Sequence, residues 1–310
     1  MLHLSGRKIL IICDGNREGK SAESLGVLKM RYITLVAMAI VFAGGCQKTY
    51  VAVEAEKAGL TDAESREAFK AERLGEELYS QDVIAAKASQ MLLQVVGPIK
   101  PGELSGWIIV KDGVKYLTRF IKGTGEDVNV VYDVRIDVKG NAEVTKDNLR
   151  PLSATEMAMF LARRNALRAA PKDCAKVFNT AVMEDIDSSG WLVYILAATA
   201  DDVIVVGGHS RVKVTADGKN VLAVTPLYQS CLMLPKPAAD RARESQAFSV
   251  SYPLGNVPSE IHVYLNFLHG YPVYVSTAKG VWLVKNGKIS LIKSAEKARF
   301  QEIKKAGQQK

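Results

Sequence analysis

Hydrophobic positions after residue 60 first follow a helical period. Apolar residues recur at steps near three, four and seven: Leu74, Leu78, Ile84, Ala88, Met91 and Val95. This spacing is typical of an apolar stripe along a helix. Thr61-Asp62-Ala63-Glu64 has the form of a capping box, and Gly97-Pro98 ends the pattern. The sequence therefore predicts a helix from residue 61 to 96, with its charged first half in solvent and its apolar second half on a sheet.

From Gly106 the pattern changes to the period of two that is typical of strands. Strands are predicted at about 107–110, 114–121 and 128–138. The first pair is separated by Asp112-Gly113, and the same kind of turn recurs at Asp217-Gly218 and at Asn286-Gly287. These dipeptides adopt the positive φ angles of two-residue hairpin turns.

A second capping box, Ser153-Ala154-Thr155-Glu156, predicts a helix that continues to about residue 170. Arg163, Arg164 and Arg168 lie on it and are interpreted as a solvated flank, with a phosphate or acidic-lipid contact as the alternative. Further strands are predicted at about 176–186, 191–199, 203–206, 211–215, 221–224, 248–252, 261–268, 273–276, 281–284 and 288–292.

This order of elements predicts an α+β fold in which helices pack on curved antiparallel sheets. As an analogy of fold class, each half suits a sheet that wraps a helix, as in cystatin-like or NTF2-like domains, and the analogy carries no function. The predicted organisation is a leader at 1–45, a tether at 46–60, a first helix and sheet at 61–150, a second helix and larger sheet at 151–293, and a charged helix or tail at 294–310.

The most informative segment precedes this body. Lys29 and Arg31 flank Met30, the residues from 33 to 45 carry no charge, and Ala43-Gly44-Gly45-Cys46 closes the run. Thirteen helical residues rise about 20 Å, which is short of the roughly 30 Å of bilayer hydrocarbon. A basic start, a short apolar core and small residues at the exit are typical of a secretory signal.

The Ala43-Gly44-Gly45-Cys46 exit resembles the lipobox of bacterial lipoproteins, although that family prefers Leu where Ala43 stands. The resemblance implies cleavage before Cys46 and lipidation, with palmitate, of its thiol. Gln47 in place of Asp implies delivery to the outer membrane, facing the periplasm. Residues 1–29 fit no signal design, so we interpret them as an upstream start artefact or as a long n-region.

Composition narrows the function classes. The 310 residues are 48% hydrophobic and 24% charged, as in globular proteins, with a net charge of +8. Without residues 1–45 the net charge falls to +5. Such a mild excess suits an anionic envelope surface and gives no support to nucleic-acid binding, which needs clustered charge.

Two of the four cysteines, Cys174 and Cys231, lie in the body that export would deliver. In an oxidising compartment such a pair favours a disulfide, and two unpaired buried thiols are the alternative. No Cys-x-x-Cys spacing indicates redox or zinc chemistry.

The sequence contains only incomplete catalytic motifs. Gly208-His209-Ser210-Arg211-Val212 resembles a nucleophile elbow except that Val212 stands where the turn requires Gly. An acidic cluster spans residues 184–187, where paired carboxylates could do acid–base work. His209, His262 and His269 give weak support to a metal site. Residues 262 and 269 would share one face of a helix but would face opposite sides of the predicted strand. We assign no catalytic residue, metal or cofactor.

Aromatic residues give the best functional hypothesis, a ligand groove that includes Trp191, Tyr194, His209 and His262. The sequence thus predicts a lipid-anchored, non-enzymatic envelope protein. It either binds a protein, peptide or cell-wall component or has a structural role, and it binds no nucleic acid. The alternative is an envelope hydrolase with its site near His209, Ser210 and Glu184–Asp187.

Overall fold

The computed structural model describes residues 59–113, 115–137, 139–198, 202–236 and 246–292. The predicted signal, Cys46, most of the predicted tether and the C-terminal segment 294–310 lie outside the described residues. The fold is α+β, as predicted. The helices are α1 (Asp62–Val96), α2 (Ala154–Ala169) and α3 (Glu260–His269). The strands are β1 (Gly106–Asp112), β2 (Lys115–Thr124), β3 (Asp127–Ile136), β4 (Ala142–Pro151), β5 (Phe178–Glu184), β6 (Trp191–Ala197), β7 (Val203–Val205), β8 (Ser210–Val214), β9 (Val221–Pro226), β10 (Met233–Pro235), β11 (Phe248–Ser251), β12 (Val273–Ser276), β13 (Val281–Lys285) and β14 (Lys288–Leu291).

Both predicted capping boxes are confirmed. The Thr61 amide donates to Glu64 Oε2 at 2.8 Å, and Thr61 Oγ1 accepts from the Glu64 amide at 3.2 Å. Ser153 and Glu156 repeat the exchange at 2.8 and 3.3 Å. Each pair satisfies amides that a helix N-terminus leaves without a partner, so the starts of α1 and α2 are fixed locally.

The first sheet is an antiparallel meander in the order β1-β2-β3-β4. Its last strand was not predicted, because residues 142–151 are mostly polar and only alternate positions such as Ala142 and Val144 face the core. The register shifts between Val130 and Tyr132, opposite Leu149, whose φ is 58°. The C-terminal half of α1 packs on this sheet through Ala88 and Leu92, as expected.

The second sheet has the antiparallel order β5-β6-β8-β9, and its strand β6 is buried on both faces. Trp191, Val193 and Ile195 pack towards α2, whereas Leu192, Tyr194 and Leu196 pack towards α1 and α3. A strand covered on both sides carries a continuous apolar run instead of alternation.

The third sheet has the order β11-β12-β13-β14, and β11 and β12 are parallel. Parallel neighbours require a crossover, which α3 provides. The prediction of a strand at residues 261–268 was therefore wrong. Its apolar residues are continuous because α3 is almost wholly buried, Ser259 is its N-cap, and Gly270 ends it with a φ of 73°.

The first half of α1 also departs from expectation, because it packs on α3 and does not stand in solvent. Ala68, Ala71 and Gly75 give it a stripe of small residues that lets the two helices approach closely. A Cβ atom built on Gly75 would lie 2.5 Å from Val263 Cβ. Large apolar residues were the signal used for prediction, and small ones carry this contact.

Arg163 is a further correction, since it is buried and not solvated. Its Nε donates to Thr180 Oγ1 at 2.7 Å, and its guanidinium carbon lies 4.1 Å from the centre of the Trp107 ring. Arg164 fits the predicted flank better, because it reaches the Gly125 carbonyl at an exposed position. Among the described helices, none combines the length and apolarity that crossing a bilayer demands.

Candidate functional site

The residues of the predicted groove do not share one surface. Trp191 and Tyr194 lie on opposite faces of β6, in different core clusters. Trp191 Nε1 donates to the Ala216 carbonyl at 2.9 Å, which ties its ring to the β8–β9 turn. Tyr194 has no exposed surface. Both side chains are therefore core residues with satisfied polar atoms.

His209 is a buried structural residue. Its Nδ1 accepts the Ala197 amide at 3.1 Å, and its Nε2 lies 2.9 Å from the Val205 carbonyl. These contacts place the proton on Nε2 and leave neither ring nitrogen free. Burial lowers the pKa of His209 to about 4, although the hydrogen bond to Val205 opposes the shift.

The remaining residues of the hydrolase hypothesis stand at opposite ends of the second sheet. Ser210 pairs with Ile195, whereas Glu184 pairs with Trp191. Trp191 and Ile195 are four positions apart along β6, a distance of about 13 Å. The sheet thus keeps the serine away from the acidic turn.

The acidic turn itself is locally satisfied. Asp185 accepts from Ser188 Oγ at 2.6 Å and from the Asp187 amide at 3.1 Å, and it lies 3.2 Å from Lys213 Nζ. These interactions lower the pKa of Asp185 against the desolvation that would raise it. The Asp185 carboxylate therefore closes the turn, and both of its oxygens accept hydrogen bonds.

His262 was predicted on a strand and lies in the first turn of α3. Its Nδ1 accepts the Ser259 amide at 3.1 Å and stands 3.2 Å from Ser259 Oγ. The one lone pair of Nδ1 is used by the amide, so it cannot take the hydroxyl proton. The fully buried Nε2 has no hydrogen-bond partner, and the Tyr252 ring lies edge-on at 4.8 Å. The pair caps the helix and does not form a catalytic dyad.

The predicted disulfide between Cys174 and Cys231 is confirmed, with Cα atoms 5.1 Å apart. It joins the segment before β5 to the segment before β10. Gly207 and Gly208 lie where the chain passes close to the bonded segments. A Cβ on Gly208, whose φ is 85°, would lie 2.4 Å from Cys174 Cβ, and one on Gly207 would lie 1.7 Å from the Ser230 carbonyl oxygen. Only glycine allows the chain to pass here.

A cavity of about 640 Å³ opens between α1, the end of β9 and the loop that leads into α3. We call it the α1–α3 cleft. Its polar and aromatic lining includes Glu67, Lys70, Arg211, Tyr228, Tyr252 and Glu260. Its volume lies within the range of small-molecule sites. The loop comes close to α1, since a Cβ on Gly255 would be 3.9 Å from Glu67 Oε1.

The inner wall of the α1–α3 cleft carries a buried ion pair. Glu260 is 4% exposed, and its Oε1 accepts from Arg211 Nη1 at 2.8 Å and from the Tyr194 hydroxyl at 2.9 Å. Burial and the Glu260 charge both raise the pKa of the Tyr194 hydroxyl, so Tyr194 stays a neutral donor. Tyr194 therefore reaches the site from the core, behind the cleft.

Glu67 stands at the rim of the cleft, and no described residue forms a hydrogen bond or ion pair with it. Its neighbours are already engaged: Glu64 binds Lys279, and Lys70 binds Asp187. Desolvation, and then the charges of Glu260 and Glu64, raise the pKa of Glu67. The rim thus holds a carboxylate that has no ion-pair partner among the described residues.

Sequence reasoning missed this cleft because its residues come from four distant segments. Glu67 and Glu260 are separated by nearly two hundred positions. In the sequence Glu67 is an ordinary helical charge, and Glu260 merely precedes a predicted strand. The part of the chain that the structure describes contains no group of three or more His, Cys, Asp or Glu side chains placed to hold a metal ion.

The chain was compared with protein-family models, with curated proteins and with solved structures, and none of them matches.

Proposed function

We propose that this chain is an exported, lipid-anchored protein of a bacterial cell envelope that binds a ligand and does no chemistry on it. A lipid on Cys46 would contact the membrane, and the α1–α3 cleft would contact the ligand. On the Gln47 criterion the anchor lies in the outer membrane, with the body in the periplasm.

The disulfide between Cys174 and Cys231 is the observation that carries the proposal. Disulfides persist in oxidising compartments and are rare in the reducing cytosol. The bond closes 57 residues of separation and spans segments that glycines bring into contact. A body built around such a bond agrees with a chain whose Ala43-Gly44-Gly45-Cys46 resembles a lipobox.

The way the polar groups are used supports binding over catalysis. His209, Asp185 and Ser259 are committed to backbone or cap hydrogen bonds, and the sheet separates Ser210 from the acidic turn. In contrast, the α1–α3 cleft is open and lined by two tyrosines and a carboxylate without a described partner. Open polar groups in a cavity suit recognition.

The attachment is physically sufficient. Each buried methylene of an acyl chain contributes about 0.8 kcal/mol, and more than one chain is needed for durable anchoring. The helix α1 begins 16 residues after Cys46 and extends for about 50 Å. A tether of this length would thus keep the body near the membrane surface.

Metabolic labelling tests the proposal. The full chain is expressed in a bacterium with two membranes in the presence of radiolabelled palmitate, beside a Cys46→Ala variant. We expect label on the wild-type protein alone, recovery in the outer-membrane fraction, and a Cys174–Cys231 bond that resists alkylation until reduction. Absence of label, or reduced cysteines in the cytosolic fraction, would overturn it.

A further inference from the structure

We propose that the α1–α3 cleft binds a ligand that carries an ammonium group, with Glu67 as the counter-ion and Tyr228 and Tyr252 as aromatic neighbours. The inference rests on the binding role proposed above and deepens it. It does not depend on the lipid anchor.

The distribution of charge in the cleft selects a cation. Arg211 and Lys70 are the basic side chains of its lining, and each already pairs with a carboxylate, Glu260 and Asp187 respectively. Glu67 is the acidic side chain of the lining that has no such partner among the described residues. An anion entering the cleft would compete with existing ion pairs, whereas a cation would complete one.

The surroundings of Glu67 also favour a positive partner. Burial first, and then the charges of Glu260 and Glu64, disfavour its ionised form, although those two carboxylates pair with Arg211 and Lys279. A positive group that approaches Glu67 favours the ionised form again. A bound ammonium lowers the pKa of Glu67 towards the ordinary value and releases no cation from the protein.

Two aromatic rings line the same cleft as this carboxylate, and one of them is near it, since a Cβ on Gly255 would be 3.4 Å from Tyr252 Cε1 and 3.9 Å from Glu67 Oε1. The ring centres of Tyr228 and Tyr252 are 6.5 Å apart, with a tilt of 35° between their planes. The Tyr228 hydroxyl donates to the Ser251 carbonyl, which fixes its ring against β11. Tyr252 is 8% exposed and packs on His262. Aromatic faces attract ammonium groups within about 6 Å, and the attraction grows as water is excluded.

A metal ion is a poorer occupant of the same position. No third carboxylate or histidine joins Glu67 and Glu260 in a ligating arrangement within the described ranges. Glu260 also directs Oε1 to Arg211 and Tyr194. A single carboxylate beside aromatic rings fits an organic cation, which needs one counter-charge and apolar contact.

Equilibrium dialysis of the full-length protein in non-ionic detergent tests the proposal. The probes are radiolabelled choline and n-butylammonium, with 3,3-dimethylbutan-1-ol as the uncharged isostere of choline. We expect saturable binding of at least one ammonium probe at pH 7.5 and no saturable binding of the alcohol. Binding should weaken as the pH falls through the raised pKa of Glu67.

Variants locate the site. Glu67→Gln should weaken binding at least five-fold, and Tyr228→Leu should weaken it about three-fold. The matched control is Glu76→Gln, which removes an exposed carboxylate of α1 that does not line the α1–α3 cleft. This variant should bind the probes as wild type does. Thermal unfolding of each variant verifies that it is folded.

The outcomes are separable from those of the anchoring experiment. Failure of both ammonium probes, equal binding of the neutral alcohol, or unchanged affinity in folded Glu67→Gln would overturn the ammonium site. Palmitate labelling would stand unaffected by any of these results. Conversely, an unlabelled protein that binds choline through Glu67 would overturn the anchor and keep the site.

Discussion

Arg211 on β8 and Glu260 on α3 form an ion pair, Nη1 to Oε1 at 2.8 Å, whose two ends differ in exposure. The Arg211 side chain is 28% exposed through the cleft, while that of Glu260 is 5% exposed. The pair connects the second sheet to the crossover helix of the third. Because the carboxylate is the more deeply buried partner, removing Arg211 and removing Glu260 should lower the free energy of unfolding by different amounts.

Removal of Arg211 should therefore be more damaging than removal of Glu260. Arg211→Met leaves a buried carboxylate without its cation, which costs about 3–5 kcal/mol of unfolding free energy. Glu260→Leu leaves an arginine that can turn into the open cleft, so a smaller loss is expected. Urea unfolding at pH 7 measures both, and the double variant Arg211→Met/Glu260→Leu should regain part of the loss. A larger loss in Glu260→Leu than in Arg211→Met would contradict this picture.

Gly75 is expected to reverse the usual effect of replacing a helical glycine. Alanine in place of an exposed helical glycine stabilises by roughly 1 kcal/mol. At residue 75 the added methyl would meet Val263 Cβ at 2.5 Å and the Glu260 carbonyl oxygen at 2.7 Å. Overpacking of this kind costs about 1–3 kcal/mol, so Gly75→Ala should destabilise the protein. Its unfolding midpoint in urea is compared with that of Glu76→Ala, which should stay near wild type; a stabilised Gly75→Ala would show that α1 and α3 do not touch here.

The disulfide should make a large contribution to stability. On the chain-entropy model, closing the loop between Cys174 and Cys231 is worth about 4 kcal/mol at 25 °C. The double variant Cys174→Ala/Cys231→Ala should lose stability of that order in urea unfolding. Wild type in excess dithiothreitol serves as the control and should shift by a similar amount. If reductant leaves the midpoint unchanged while the thiols become alkylatable, the bond does not constrain the fold.

Local chemistry was the part of the fold that the sequence predicted well. The capping boxes of Thr61 and Ser153 and the turn at Asn286-Gly287, where both residues have a positive φ, depend on neighbouring residues alone. The turn predicted at Asp112-Gly113 is displaced, because Asp112 is still paired in β1 and only Gly113 of the two has a positive φ. The errors came where tertiary burial decides. The helix α3 contains Val263, Tyr264 and Phe267, which favour strands in isolation, but burial on nearly every side removes the periodicity that identifies a helix.

The same reason explains the candidate site. The disulfide could be predicted because only two cysteines follow Cys46 in the sequence. The α1–α3 cleft could not, because its character depends on which charges are already paired. Glu67 and Glu72 are similar in sequence, yet Glu72 is buried and binds Lys288 and the Ile289 amide, whereas Glu67 faces the cleft. Pairing of this kind is a property of the folded contacts and not of local pattern.

The buried histidines should make the protein less stable in acid. Burial lowers the pKa values of His209 and His262 to about 4, whereas an unfolded histidine titrates near 6.5. Between these pH values the unfolded state binds protons that the native state does not bind. The free energy of unfolding is therefore highest above pH 6.5 and declines as the pH falls towards 4. Ring ¹⁵N chemical shifts from a histidine-labelled sample should show His209 neutral at pH 5.5, with its proton on Nε2. The urea-unfolded protein is the reference and should titrate near pH 6.5. A native His209 resonance that titrates with the unfolded protein would mean that its hydrogen bonds to Ala197 and Val205 do not hold in solution.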